Sequence, residues 1–169
     1  DMTSSRGLGD VYKRQKFGVS TSQNEAADLY RKMAADPHIR PAGLAVHIGS
    51  QILELDPFER AYSALLSFGT TLRDEGLEVP VLDLGGGIGV DYQDGTPTDF
   101  TAYGELVSRL FADSGFQLGF EPGRSIVANN GVLLTRVIYV KDGDNKRFAI
   151  VDAAMNDLLR PTLYEAHHD

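Results

Sequence analysis

Four polar clusters interrupt the apolar runs of this sequence: His47-Ile48-Gly49-Ser50-Gln51, Gly85-Gly86-Gly87, Glu121-Pro122-Gly123-Arg124 and Arg160-Pro161-Thr162-Leu163-Tyr164. The glycine triplet lacks Cβ atoms, so its backbone N–H groups can approach a phosphate closely and donate to it, and Gly123 can add a donor from another loop. A tight turn with no ligand explains three glycines equally well. No Gly-Lys-Ser/Thr follows, so this is not a Walker loop. Glu121 ends an apolar strand beside Pro122, and a carboxylate buried there needs a partner or it protonates. The N–H of a protonated heterocycle is one such partner, and an ion pair with Arg124 is the plainer one. Arg124 and Arg160 could each grip a carboxylate through paired hydrogen bonds, with Tyr164 adding a hydroxyl; most loop arginines are simply solvated. His47 could lie flat on an aromatic ring or move protons, or be a neutral histidine satisfied by backbone.

The elements that must position these clusters alternate. Ser22 with Glu25 reads as a capping box, followed by a helix carrying Ala26, Leu29, Tyr30 and Met33 at helical spacing. GLAVHI (43–48) is a short apolar run that ends in the first cluster. Asp56-Pro57 opens a second helix whose apolar face is Ala61, Ala64, Leu65, Phe68 and Leu72, with Gly76 at its stop. VPVLDLGGG (79–87) is a buried strand running into the glycines. Thr98 or Asp99 caps a third helix, with Tyr103, Leu106, Val107, Leu110 and Phe111 inward and Gly115 at its end. FQLGFEPGR (116–124) is the next strand with its loop. The order β-α-β-α-β predicts parallel strands joined by helical crossovers, which puts the first three clusters on one C-terminal rim. From Gly131 the rhythm changes to two strands around a DGDN turn, the start of an antiparallel unit. Residues 1–15 are polar and aperiodic and read as a disordered or non-native segment.

Composition narrows the function classes. With 16 Lys and Arg against 24 Asp and Glu, the net charge is −8, which disfavours nucleic acid as a partner. There are no cysteines, so neither a disulfide framework nor a thiolate metal site can form. No apolar run has membrane-spanning length and no signal-type segment is visible, so a cytoplasmic protein with no membrane partner is expected.

Singly these motifs are weak; together, in order, they are specific. Lys16-Phe17-Gly18, HIGSQ (47–51), LDLGGG (82–87), EPGR (121–124) and DAAMNDLLRPTLY (152–164) resemble the fold-type III PLP-dependent decarboxylases across residues 16–169. Gln51 and the AMNDLLRP stretch resemble the diaminopimelate branch. The resemblance implies the C-terminal part of a PLP-binding (β/α)8 barrel over 16–130 and the start of a C-terminal β domain over 131–169. It implies decarboxylation of meso-2,6-diaminopimelate to L-lysine and CO2, with pyridoxal 5′-phosphate as cofactor, no metal, and a homodimer as the intact enzyme. By the same resemblance His47 stacks on the pyridine ring and Glu121 holds its nitrogen. Gly85, Gly86, Gly87 and Gly123 cradle the phosphate, with Ser50 nearby, and Arg124, Arg160 and Tyr164 bind a substrate carboxylate.

The family's Schiff-base lysine lies on an early barrel strand, and nothing in residues 1–15 resembles that strand; Lys13 and Lys16 are poor substitutes. The family's later cysteine-containing motif and further tyrosine are absent as well. The expectation is therefore an internal segment that is inactive on its own. Competing readings are a related ornithine, arginine or carboxynorspermidine decarboxylase, a non-catalytic PLP-binding relative, and a barrel whose glycine loops bind some other phosphorylated ligand.

Overall fold

The computed structural model describes residues 18–21, 24–92 and 98–167. The first helix, α1 (Glu25–Ala35), buries Ala27 and Tyr30, while Leu29 is 41% exposed. The Tyr30 hydroxyl donates to the Glu78 carbonyl at 2.8 Å, which anchors the helix to the far side of the sheet connection. The inward stripe is thus narrower than the spacing of Ala26, Leu29 and Met33 predicts. Ser22 of the expected capping box lies outside the described residues; Asn24, at φ 64, precedes the helix without a side-chain cap.

Three short parallel strands follow, β1 (Gly43–Ala45), β2 (Val81–Asp83) and β3 (Gln117–Gly119), in the order β1-β2-β3 with Leu44, Leu82 and Leu118 in register. Two crossover helices join them, α2 (Asp56–Asp74) and α3 (Phe100–Phe111). The helix α2 starts at Asp56 itself, with Pro57 in its first turn, and the Asp56 side chain makes no cap bond. It ends at Gly76, whose φ of 86 admits only glycine cheaply and whose N–H reaches the Arg73 carbonyl at 2.8 Å. Asp99 is the cap of α3, accepting from the Ala102 N–H at 2.9 Å. This βαβαβ run is an arc of a β/α barrel, as expected from the sequence.

The core lies between the sheet and these helices. Leu72 and Leu82 are fully buried and Phe58, Tyr62, Val79 and Leu84 nearly so, each burial contributing about 1.5–3 kcal/mol relative to exposure. Ala64, expected inward, is exposed. Because side chains alternate across a strand, Leu82 faces the helices while Val81 and Asp83 face the opposite, open side of the sheet.

The first strand of the antiparallel unit starts at Val137. β4 (Val137–Asp142) pairs with β5 (Arg147–Val151), with a register shift between Val137 and Tyr139. An Arg147–Asp142 ion pair at 2.8 Å sits at the turn end. Two short helices complete the described chain, α4 (Arg124–Val127) and α5 (Arg160–Tyr164). No helix among the described residues is long and apolar enough to cross a membrane.

Candidate active site

The three rim loops meet backbone to backbone. Val46 N–H donates to the Asp83 carbonyl at 2.9 Å, Ile52 N–H to Gly87 at 3.0 Å, Leu84 N–H to Gly119 at 2.9 Å and Glu121 N–H to Gly85 at 2.8 Å. The glycines make this contact sterically feasible. A Cβ on Gly85, Gly86 or Gly87 would overlap the carbonyl oxygen of Val46, Glu121 or Gly49, respectively. Gly85 and Gly87 are also left-handed, with φ 67 and 96. The triplet is therefore first a junction where the loops after β1, β2 and β3 close on one another, and this draws the three sequence clusters together.

The junction leaves donors free. Among the described residues, the N–H groups of Gly86, Gly87 and Gly123 have no backbone or side-chain acceptor. Gly86 is buried, so its free N–H is costly unless something accepts from it. Gly85 differs from the expectation: its N–H is engaged by the Asp83 carboxylate at 2.8 Å. It shapes the turn rather than adding a donor. Asp83 was not singled out as a site residue from the sequence, although an Asp two residues ahead of a glycine is a recognisable turn signal.

The charged residues are arranged with few internal partners. Glu121 was expected to be buried; it is exposed at the mouth of the rim, because no described element packs over its loop. Nor does it pair with Arg124: no ion pair involves either residue among the described residues. Arg124, half-buried at the start of α4, instead donates from Nη1 to Gln51 Oε1 at 2.9 Å. His47 and Ser50 are exposed on the neighbouring loop. Arg160 and Tyr164 lie at the two ends of α5, both exposed, with the guanidinium 5.3 Å from the Tyr164 ring centroid. They contact one another, and no described hydrogen bond or ion pair ties them to the rim.

Beneath the rim is an apolar cavity of about 260 Å³, walled by Phe100, Tyr103, Phe120 and Ile126 with Gly85 and Gly86 at its edge. Tyr103 hydrogen-bonds Tyr62 at 2.8 Å inside the core, and burial pushes both phenols above their ordinary range. Free backbone donors beside a carboxylate and a guanidinium that make no ion pair among the described residues can hold a phosphorylated, nitrogen-bearing ring and a substrate carboxylate together. The residues present fit such a group.

Comparison with known proteins gives the same direction. The family described as "Pyridoxal-dependent decarboxylase, pyridoxal binding domain" matches residues 3–128. The chain is 46% identical over 156 residues to diaminopimelate decarboxylase of Zymomonas mobilis, covering 91% of this chain and 37% of that protein. Diaminopimelate decarboxylase from Helicobacter pylori, solved with L-lysine, superposes with a TM-score of 0.84 at 38% identity, over 93% of this chain and 39% of that one. Lysine decarboxylase from Selenomonas ruminantium superposes with a TM-score of 0.74 at 28% identity, over 90% of this chain and 40% of that one. The chain thus spans well under half the length of the relatives it matches.

Proposed function

The chain belongs to the pyridoxal-dependent decarboxylases, and from that premise we propose that it is the part of a diaminopimelate decarboxylase carrying the phosphate cradle and much of the substrate clamp. The proposed reaction of the whole protein is decarboxylation of meso-2,6-diaminopimelate to L-lysine and CO2. The observation that carries this reading is the junction itself: free N–H groups of Gly86 and Gly87 stand on the same rim as Glu121 and Arg124, neither of which has an ion-pair partner among the described residues. We place the division between barrel and β domain near residue 130, and the whole protein in the cytoplasm as a homodimer.

When bound, pyridoxal 5′-phosphate supplies a protonated heterocycle that accepts the electron pair left behind as CO2 departs. Gly86, Gly87 and Gly123 bind the phosphate through backbone N–H, with the Ser50 hydroxyl beside them and Gly85 setting the turn. Glu121 holds the proton on the ring nitrogen, and His47 lies against the ring face. Arg124 binds the carboxylate at the unreactive end of the substrate, joined by Arg160 and Tyr164 from the adjoining unit. This grip fixes the reacting carbon, and orientation of that kind contributes several kcal/mol of barrier lowering, on the order of 7 or more in well-aligned cases. A far carboxylate suits two guanidinium groups; the bare far amine of ornithine is repelled by them.

A second reading, a decarboxylase of amino acids whose far end is a bare amine, is favoured by the likeness to the Selenomonas lysine decarboxylase. Complementation separates the two. A lysine-requiring bacterial strain lacking its own diaminopimelate decarboxylase should grow without lysine when given the full-length gene containing this chain. Folded protein without restored growth, accompanied by diamine accumulation, would favour the second reading.

A further inference from the structure

One side chain on the rim links two loops through its own atoms, and the proposed reaction gives it no role. Gln51 follows Ser50 with its backbone in the left-handed region, φ 62, a conformation unfavourable for any residue but glycine. Its carboxamide is used at both ends. Oε1 accepts from the Val90 N–H at 3.2 Å and from Arg124 Nη1 at 2.9 Å, while Nε2 donates to the Val90 carbonyl. The amide is therefore held as a rigid plate against the downstream end of the glycine loop, and its oxygen faces the guanidinium.

The choice of a neutral partner matters. A carboxylate in this position would cancel the charge of Arg124; a carboxamide fixes the direction of the guanidinium and leaves its charge and its other donors for an incoming anion. No described carboxylate lies within ion-pair distance of Arg124. Through Gln51 the location of that charge is tied to Val90, one residue beyond the Gly85–Gly89 turn that bears the free N–H groups. The distance from phosphate cradle to carboxylate anchor is in this way fixed by a side-chain bridge as well as by the barrel.

We propose that Gln51 is a positioning residue for Arg124 and sets the length of amino-acid substrate whose far carboxylate Arg124 can meet. This rests on the reading that Arg124 binds that carboxylate, and the test keeps the two apart. Full-length protein is compared with Gln51→Gly, Arg124→Ala and the double variant. Glycine accepts the left-handed backbone, so the fold is preserved; Gln51→Met, of similar length without hydrogen bonds, is the second variant. The readouts are KM and kcat for meso-2,6-diaminopimelate and inhibition constants for L-lysine, which keeps the far carboxylate, and for 1,5-diaminopentane, which has none.

Loss of one hydrogen bond to a charged group predicts about a tenfold rise in KM and in the L-lysine constant, with kcat within about twofold and the diaminopentane constant unchanged. The double variant should be no worse than Arg124→Ala alone, because the two residues act in series. Additive losses, or equal losses for both inhibitors, would overturn the positioning role while leaving the role of Arg124 intact. If Arg124→Ala itself leaves KM and the L-lysine constant unchanged, the carboxylate reading fails first and the role of Gln51 fails with it.

Discussion

Replacing Gly86 by alanine isolates the steric part of the glycine junction. The backbone of Gly86 is not left-handed, so the substitution carries no conformational penalty of its own. The added methyl would come closer than 3.0 Å to the Glu121 carbonyl oxygen, which belongs to rigid backbone rather than a side chain that can turn away. Ordinary contact requires the loops after β2 and β3 to separate by on the order of 1 Å, and overpacking of this kind costs about 1–3 kcal/mol, occasionally more. The same shift moves the free N–H groups relative to Glu121, and a misplacement of about 1 Å can lower catalytic efficiency by on the order of 100-fold. Gly131→Ala is the internal control, because it lies outside the junction, is exposed, and nothing lies within 4 Å of its added Cβ; it should change stability by no more than about 0.5 kcal/mol. Melting of the full-length protein and its kcat/KM would be measured for both variants. A Gly86→Ala protein as stable and active as its parent would refute the claim that the loops close through absent side chains.

Other consequences follow from the core and the surface. Tyr62→Phe or Tyr103→Phe alone strands a buried hydroxyl whose partner stood 2.8 Å away, so each should cost about 1–3 kcal/mol, whereas the double Phe variant should recover much of the loss; melting of the three variants decides this. Glu75 takes Arg31 by both oxygens at 2.7 and 2.8 Å, and that hydrogen bonding holds its carboxyl below the usual glutamate value. A lowered folded-state pKa means the contribution is present above the ordinary glutamate value and is lost as pH falls through the lowered one. Melting curves on acidification should therefore be flatter for Glu75→Gln than for the parent. Val132 and Leu134 are 98% and 94% exposed, and Ile138, Tyr139 and Val140 stand exposed on β4. Expressed by itself, the chain should bind a hydrophobic dye strongly and elute as oligomers or aggregates; a clean monomer without dye binding would contradict this.

Much of the framework was legible because it depends on local pattern. Tyr103, Leu106, Val107 and Phe111 appear at helical spacing and are buried as that spacing predicts. Gly76 and Asp99 mark helix ends by chemistry that acts within one turn. What was not legible depends on contacts distant in sequence. Leu29 is exposed because the buried stripe of α1 runs through Ala27 and Tyr30 instead. The triplet Gly85-Gly86-Gly87 could be read as a loop, but not as a junction, since the carbonyls it accommodates lie on Val46, Gly49 and Glu121. The bridge from Gln51 to Arg124 spans 73 positions, and no periodicity announces it. The Glu121–Arg124 ion pair, suggested by their proximity in sequence, is not made: Arg124 is turned toward Gln51 instead.

The most direct test of the proposed activity is product analysis with purified full-length protein, pyridoxal 5′-phosphate and meso-2,6-diaminopimelate, with ornithine and arginine in parallel. The account predicts L-lysine and CO2 in equal amounts from diaminopimelate, and at most traces of diamine from the other two. Preferential release of putrescine or agmatine, with diaminopimelate untouched by active protein, would contradict it.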